Sequence, residues 1–173
     1  SRIAVAANAN GIITPDATAN PNAFPIGATK GGVKLSLKKP SKDINVDEIA
    51  AAVDSILEQV EMSLNAEIVA LTDEKVVKLA LSGIGTSATS TGIIENKIGF
   101  ATETFSGICF IAPMREDPTK VFVFHIYKAK NSEGLDFSAM RTDMASSAVN
   151  FKGYAVTTRP KDDQLGNYWW QTA

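Results

Sequence analysis

Hydrophobic and polar residues alternate along several stretches of this chain, and the alternation predicts a protein built mainly of strands. Val33, Leu35 and Leu37 are apolar while Lys34, Ser36 and Lys38 are polar, the period-two pattern of a half-buried strand, and Pro40 ends it. The segment 44–70 is ambiguous at first, because Ile49, Val53, Ile56 and Val60 follow one another at helical spacings. From Val60 the period changes. Val60, Met62, Leu64, Ala66 and Ile68 alternate with Glu61, Ser63, Asn65 and Glu67, which only a strand satisfies. The pattern predicts a strand over about 56–69, preceded by a turn or a short helical piece.

One helix is expected, over Thr72–Ser82. Thr72 can cap its free N–H groups, Asp73 and Glu74 sit at the positive end of the dipole, and Gly83 follows its end. Val76, Val77, Ala80 and Leu81 form its buried face. Alternating or apolar runs at 97–112, 120–129 and 147–157 predict further strands. The rest reads as connections: an extended arm over 1–32, crowded with turn formers and alanine, and a loop of small polar residues from Gly83 to Gly92. Arg159–Asp163 breaks the pattern before a tail, 158–173, that carries Tyr168, Trp169 and Trp170. The whole is one mainly β domain with a core over 33–157 and a single helix.

Composition narrows the function classes. A chain of 173 residues, 45% hydrophobic and 21% charged, has the make-up of a soluble globular domain. Its net charge of −2 and pI near 5.4 provide no general attraction for nucleic acid or an anionic membrane. No run approaches the ~18 apolar residues of a membrane span, and Ser1-Arg2-Ile3 does not begin a signal peptide, so the expectation is a cytoplasmic protein. The lysines at 30, 34, 38, 39 and 42 are the one basic concentration. Without interleaved aromatics to stack on bases, they read as a solvated strand face or as a patch that pairs with acids on a neighbouring subunit.

Catalytic chemistry is sparse. Cys109, the only cysteine, lies in the apolar run Ile108–Ile111 and reads as a small buried hydrophobe. His125, the only histidine, sits on an expected strand beside Val123 and Tyr127, so a zinc site of Cys and His ligands is short of ligands. Ser36 and Lys39 have S-x-x-K spacing, but on a strand rather than a helix start. Gly83–Ala88 imitates a dinucleotide loop, yet it follows a helix instead of joining strand to helix. The pairs Asp47-Glu48, Glu116-Asp117 and Asp162-Asp163 suit caps and turns. No catalytic residue, cofactor or metal ligand is expected, and the chain reads as a structural protein that assembles with copies of itself.

The order of segments sharpens this. Ile26-Gly-Ala-Thr-Lys-Gly-Gly-Val-Lys-Leu35, Ile44-Asn-Val-Asp-Glu48, the alternating strand and Leu71-Thr-Asp-Glu-Lys-Val-Val-Lys-Leu-Ala-Leu81 come first. Lys120-Val-Phe-Val-Phe-His-Ile-Tyr-Lys-Ala-Lys130, Val149-Asn-Phe-Lys-Gly-Tyr-Ala155 and Thr158-Arg-Pro-Lys-Asp-Asp-Gln-Leu-Gly166 follow. Over about residues 26 to 168 the chain resembles the major tail tube proteins of tailed bacteriophages with long non-contractile tails. The alanine- and asparagine-rich stretch before Pro25 and the terminal Trp169-Trp170 depart from that pattern.

The resemblance implies two packed antiparallel sheets, sandwich- or barrel-like, with one flanking helix. It further implies six copies closing into a ring, and rings stacking into a virion tail tube assembled in the host cytoplasm. Double-stranded DNA would pass through the lumen without sequence-specific binding. Tape measure, tail terminator and baseplate or tail-tip proteins would be the other partners, with no membrane. On that reading the inter-subunit residues are sought at Pro25, Gly27, Gly31, Gly32, Lys34 and Lys38, at Ile84, Thr86 and Thr89 of the 83–97 loop, and at Trp169 and Trp170. Glu61 and Glu67 could line the lumen, or simply meet solvent or another subunit. Two alternatives stay open: the inner tube of a contractile tail or injection machine, and a monomeric surface-binding β-domain with Tyr168, Trp169 and Trp170 as its recognition patch. A hydrolase ranks last.

Overall fold

The computed structural model describes residues 3–7, 13–27, 29–44, 54–57, 59–69, 73–82, 85–90, 93–98, 102–136, 138–140 and 143–171. In chain order the elements are β1 (Val5–Ala7), β2 (Ile13–Pro15), β3 (Thr29–Lys38), β4 (Ser41–Ile44), β5 (Asp54–Leu57), β6 (Glu61–Ile68), helix α1 (Glu74–Leu81), β7 (Gly85–Ser90) and β8 (Ile93–Ile98). Then come β9 (Ser106–Pro113), β10 (Val121–Asn131), β11 (Ser138–Met140), β12 (Asp143–Gly153), a 3-10 turn at Lys161–Asp163, and β13 (Gly166–Trp170). Among the described residues the fold is mainly β with one α-helix, as the alternation predicts.

The long strands form one curled antiparallel sheet in the order β13-β10-β12-β6-β3, with β9 beside β10 and β11 beside β12. Strand β10 turns this sheet into two layers. Its first half, Phe122–Ile126, pairs with β13, whereas Ala129–Asn131 pairs with β12. Two glycines mark the handover, Gly166 opposite Ile126 and Gly153 opposite Ala129, with Met62 against both. At Gly166 the β10 backbone passes too closely for any side chain, with the His125 carbonyl oxygen 2.2 Å from where a Cβ would stand, and at Gly153 the fit is tight, with Ile126 Cγ2 at 3.0 Å.

The core lies between the layers. Met62, Leu64 and Ile68 of β6 and Val149 and Phe151 of β12 meet Ile108 of β9, Phe124 and Ile126 of β10, and Val76 and Ala80 of α1. Each large side chain buried in this way contributes roughly 1.5–3 kcal/mol. The strand expected over 56–69 is two strands, β5 and β6, broken around Gln59 and Val60. The possible helical piece before it falls at 45–53, outside the described residues.

Helix α1 is shorter than the Thr72–Ser82 expected. Asp73 caps it, its carboxylate accepting from the Lys75 N–H at 2.8 Å, while Thr72 and Gly83 lie outside the described residues. Ser82 ends the helix in the left-handed region (φ 49°). Its hydroxyl donates to Leu79 O and accepts from the Asn131 N–H at 2.9 Å, which offsets the roughly 1–2 kcal/mol cost of that conformation. Val76, Val77 and Ala80 are buried as expected, and Leu81 is half-buried.

The segments expected to be irregular carry structure. Within 1–32, β1 and β2 pair as an antiparallel hairpin. Asp16 caps the following turn through the Thr18 N–H at 2.8 Å, and Asn20 donates to Ala4 O and Asp16 O, both at 3.1 Å. Phe24 and Ile26 then pack on the core, so this segment lies against the body as a cover. The expected small-residue loop is the hairpin β7–β8, and the tail enters the main sheet as β13.

Candidate functional site

Three strands present one continuous polar face. On β6 it holds Glu61, Ser63, Asn65 and Glu67, opposite Lys38, Ser36, Lys34 and Lys30 of β3. On the other side Lys152, Asn150 and Ala148 of β12 stand opposite Ser63, Asn65 and Glu67. Lys30 stays in this row because Gly31 and Gly32, at φ 76° and 88°, bulge out of β3 between Lys30 and Val33. A side chain at either position would be strained.

Lys30, Lys34, Lys38 and Lys152 meet Glu61 and Glu67 on this face, and Glu133 reaches it by accepting from the Asn150 amide at 3.1 Å, so the face is nearly balanced, with a net charge of +1. Glu61 and Glu67 both have partners. Glu61 takes the Lys152 ammonium at 3.4 Å and the Gln59 amide at 2.8 Å, and Glu67 accepts a short hydrogen bond from the Ser146 hydroxyl. The exposed ion pair is worth under about 1 kcal/mol and weakens with salt.

The ends of the sheet are open. Among the described residues, β3, β9 and β13 each have a strand on one side only. The bonds from the Tyr127 N–H to Leu165 O and from the Gln171 N–H to Val121 O, both 3.1 Å, set the alternation along β13. They leave the backbone groups of Gly166, Tyr168 and Trp170 pointing away from β10. The same edge carries the exposed aromatics: Tyr168 is 56% and Trp170 51% exposed, with ring centroids 6.1 Å apart and planes at 21°. Phe122 lies 6.4 Å from Tyr168. At the opposite end, Leu37 of β3 is 54% exposed.

The sequence-predicted site residues divide between these regions. Lys34 and Lys38 are exposed on the polar face beside Glu61 and Glu67, and Gly31 and Gly32 form the bulge at its end. Pro25 and Gly27 (φ 95°) are exposed in the covering segment. Trp170 is on the aromatic edge, whereas Trp169 is half-buried on the other face of β13, opposite Val123. Thr86 and Thr89 pair with Lys97 and Ile94 in the β7–β8 hairpin, and Ile84 lies outside the described residues. The described positions among these lie in separate regions of the fold.

Pairing register also creates a row that no sequence spacing signals: Cys109, His125 and Asn167 stand abreast on β9, β10 and β13. Cysteine, histidine and asparagine form a known hydrolytic set, but the electrostatics here oppose it. Burial pushes the Cys109 thiol up to about 12. Burial, then the Arg159 charge, pushes the His125 imidazole down to about 4. The row is thus a neutral thiol beside a neutral imidazole, the reverse of an activated thiolate–imidazolium pair. Next to it Tyr127 stands edge-on to His125, donates to Asp163 at 2.6 Å and carries Arg159 over its ring at 3.7 Å. Arg159 also binds Asp163, so this cluster fastens the 3-10 turn to β10. Ser36 and Lys39 sit at the end of β3, and Gly85–Ala88 begins a strand after α1 rather than a helix.

His125 makes the fold acid-sensitive. Its pKa is 6.5 in an ordinary setting and about 4 here, so between those values the unfolded chain binds a proton that the folded one refuses. Stability is full above pH ~6.5 and falls as the pH drops towards ~4. As the only histidine, it is the one side chain with an ordinary pKa in the upper part of that window. Urea unfolding midpoints between pH 7 and 5 should fall in the wild type, and stay nearly level in His125→Gln. The loss is on the order of 1–2 kcal/mol, less than the full shift because the imidazole is only half-buried.

Among the described residues no group of three or more His, Cys, Asp or Glu could hold a metal ion, and no helix is long and apolar enough to cross a membrane. Compared with models of known protein families and with curated proteins, the chain matches none.

Proposed function

We propose that this chain is a structural subunit of a phage tail tube, six copies closing into a ring and rings stacking into a conduit for DNA in the virion tail. The observation that carries the reading is a two-faced sheet with unclosed ends. One side of β3, β6 and β12 is polar along its length, the other builds the core, and β3 and β13 keep an edge without a strand partner among the described residues.

Open edges with outward N–H and C=O groups invite another strand, and closing them between identical subunits removes that liability. Head-to-tail contacts that return on themselves give a ring, and ring-on-ring contacts that do not close give a tube. The polar face of β3, β6 and β12 is the side suited to a water-filled lumen. Its net positive charge is modest and partly paired, so each phosphate gains little, which suits DNA that must slide. Tape measure, terminator and baseplate proteins would engage the ends and interior of such a tube.

Electron microscopy of the purified protein at rising concentration tests the proposal. Tubes or six-fold rings are expected; a monomer that persists at hundreds of micromolar would overturn it. A second reading rests on the aromatic edge. Tyr168 and Trp170, stacked and half-exposed, suit a monomeric surface-binding domain, which would stay monomeric in the same experiment while binding a ligand.

A further inference from the structure

A cavity of about 760 Å³ opens between the covering N-terminal segment, α1 and the core side of the sheet. Leu64, Ile68 and Phe151 form its floor, and Phe24, Ile26 and Phe110 stand along its sides. Among the described lining residues the only charged side chains are Lys75 and Lys78, and there is no carboxylate. These two lysines are exposed and lie three residues apart on one face of α1. The Lys75 ammonium is 5.9 Å from the centroid of the Phe24 ring, where helix and covering segment meet.

We infer that this cavity binds a long-chain fatty acid, with its hydrocarbon chain inside and its carboxylate at Lys75 and Lys78. The volume is that of a small-molecule site, about 300–1,000 Å³. The floor and aromatic sides favour an apolar chain, and the polar side chains that also line the cavity, Thr14, Asn22, Thr29, Thr104 and Ser106, carry no charge. The floor belongs to β6 and β12, which have strands on both sides, so their backbone groups are committed. An inserted peptide would find backbone partners only along β9, whose residues 106–111 line one side of the cavity and whose outer edge has no strand among the described residues; over the floor its remaining N–H and C=O groups would stay unpaired, whereas an acyl chain has none to leave. Each methylene it buries raises affinity about fourfold. A cationic rim over an uncharged interior then fixes the polarity of the ligand: one anionic head outside, one apolar chain within.

The inference concerns the single chain and stands apart from the tube reading. The test uses cis-parinaric acid as a fluorescent probe, displaced by palmitate or by hexadecanol, on dilute unassembled protein. The wild type should take up the probe saturably, and palmitate should raise its melting temperature. Lys75→Glu with Lys78→Glu, both at exposed positions, should weaken palmitate roughly tenfold and leave hexadecanol unchanged. Ala66→Phe, which fills the cavity from β6, should abolish both. Three results would overturn the inference: no saturable uptake by the wild type, palmitate affinity indifferent to the double charge reversal, or uptake that disappears as protein concentration rises because a second copy fills the cavity.

Discussion

Gly166→Ala should unfold the protein or leave it without a fixed tertiary structure. A Cβ on Gly166 would stand 2.2 Å from the backbone carbonyl oxygen of His125 and 3.0 Å from Met62 Cε. A flexible side chain can move aside, but a strand carbonyl in the middle of β10 cannot move without breaking the pairing on both its edges. Relief would require β13 to leave β10, which exposes the handover where the two layers join. We expect a loss on the order of 4 kcal/mol, at the extreme of what single substitutions do and a large part of a domain's total stability. Gly107→Ala is the internal control. Its Cβ meets nothing closer than the His125 imidazole at 3.4 Å, so it should shift the midpoint little. Urea unfolding followed by the fluorescence of Trp169 and Trp170, which report on β13 itself, compares the two. A Gly166→Ala midpoint equal to that of Gly107→Ala would show that the strands are not this close.

Asn131→Leu should cost about 2–4 kcal/mol although leucine has the same number and branching of side-chain heavy atoms. Asn131 is buried where β10, β12 and the end of α1 meet, and its side chain uses its full hydrogen-bonding capacity. The amide donates to Ala80 O at 2.9 Å and to Gly134 O; its oxygen accepts from the Asn150 N–H at 3.0 Å and the Glu133 N–H at 3.3 Å. Leucine fills the space and leaves these backbone groups without that partner, the asymmetry that makes a buried polar deletion expensive. Asn131→Asp should be worse, because a carboxylate would face two carbonyl oxygens. Thermal unfolding of the three proteins at neutral pH should rank them wild type, Leu, Asp. Equal melting temperatures for wild type and Asn131→Leu would mean that the helix end is not held through this residue.

Strand content was legible where burial is one-sided. Val33–Leu37 and Val60–Ile68 alternate because one face meets the core, and the structure puts Met62, Leu64 and Ile68 inside and Glu61 and Glu67 outside as that pattern demands. The helix was legible for a similar reason, as Val76, Val77 and Ala80 form one buried stripe. Strands without an apolar alternation gave no such signal. β4 is exposed along its length, and β7 reads Gly-Thr-Ser-Ala-Thr-Ser; each is paired with its neighbour, β5 and β8 respectively, which no periodicity announces. Gly31 and Gly32 end the segment that reads as an extended arm, and composition alone does not reveal the bulge they form in β3, because positive φ suits a turn as well as a bulge.

Taken alone, the sequence determined the β-rich class, the helix α1 and the placing of Cys109 and His125 on apolar strands. Each depends on local periodicity or on residue counts, which need no neighbour. Register and layering were decided only in three dimensions. They set Cys109, His125 and Asn167 abreast, surrounded Glu61 and Glu67 with lysines, and drew the expected tail into the sheet as β13. The physical reason is that a strand's partners are chosen by long-range backbone pairing, and one step of register moves every side chain to the other face. Alternation reveals that a face exists; which residues share it across the sheet is fixed only when the strands meet.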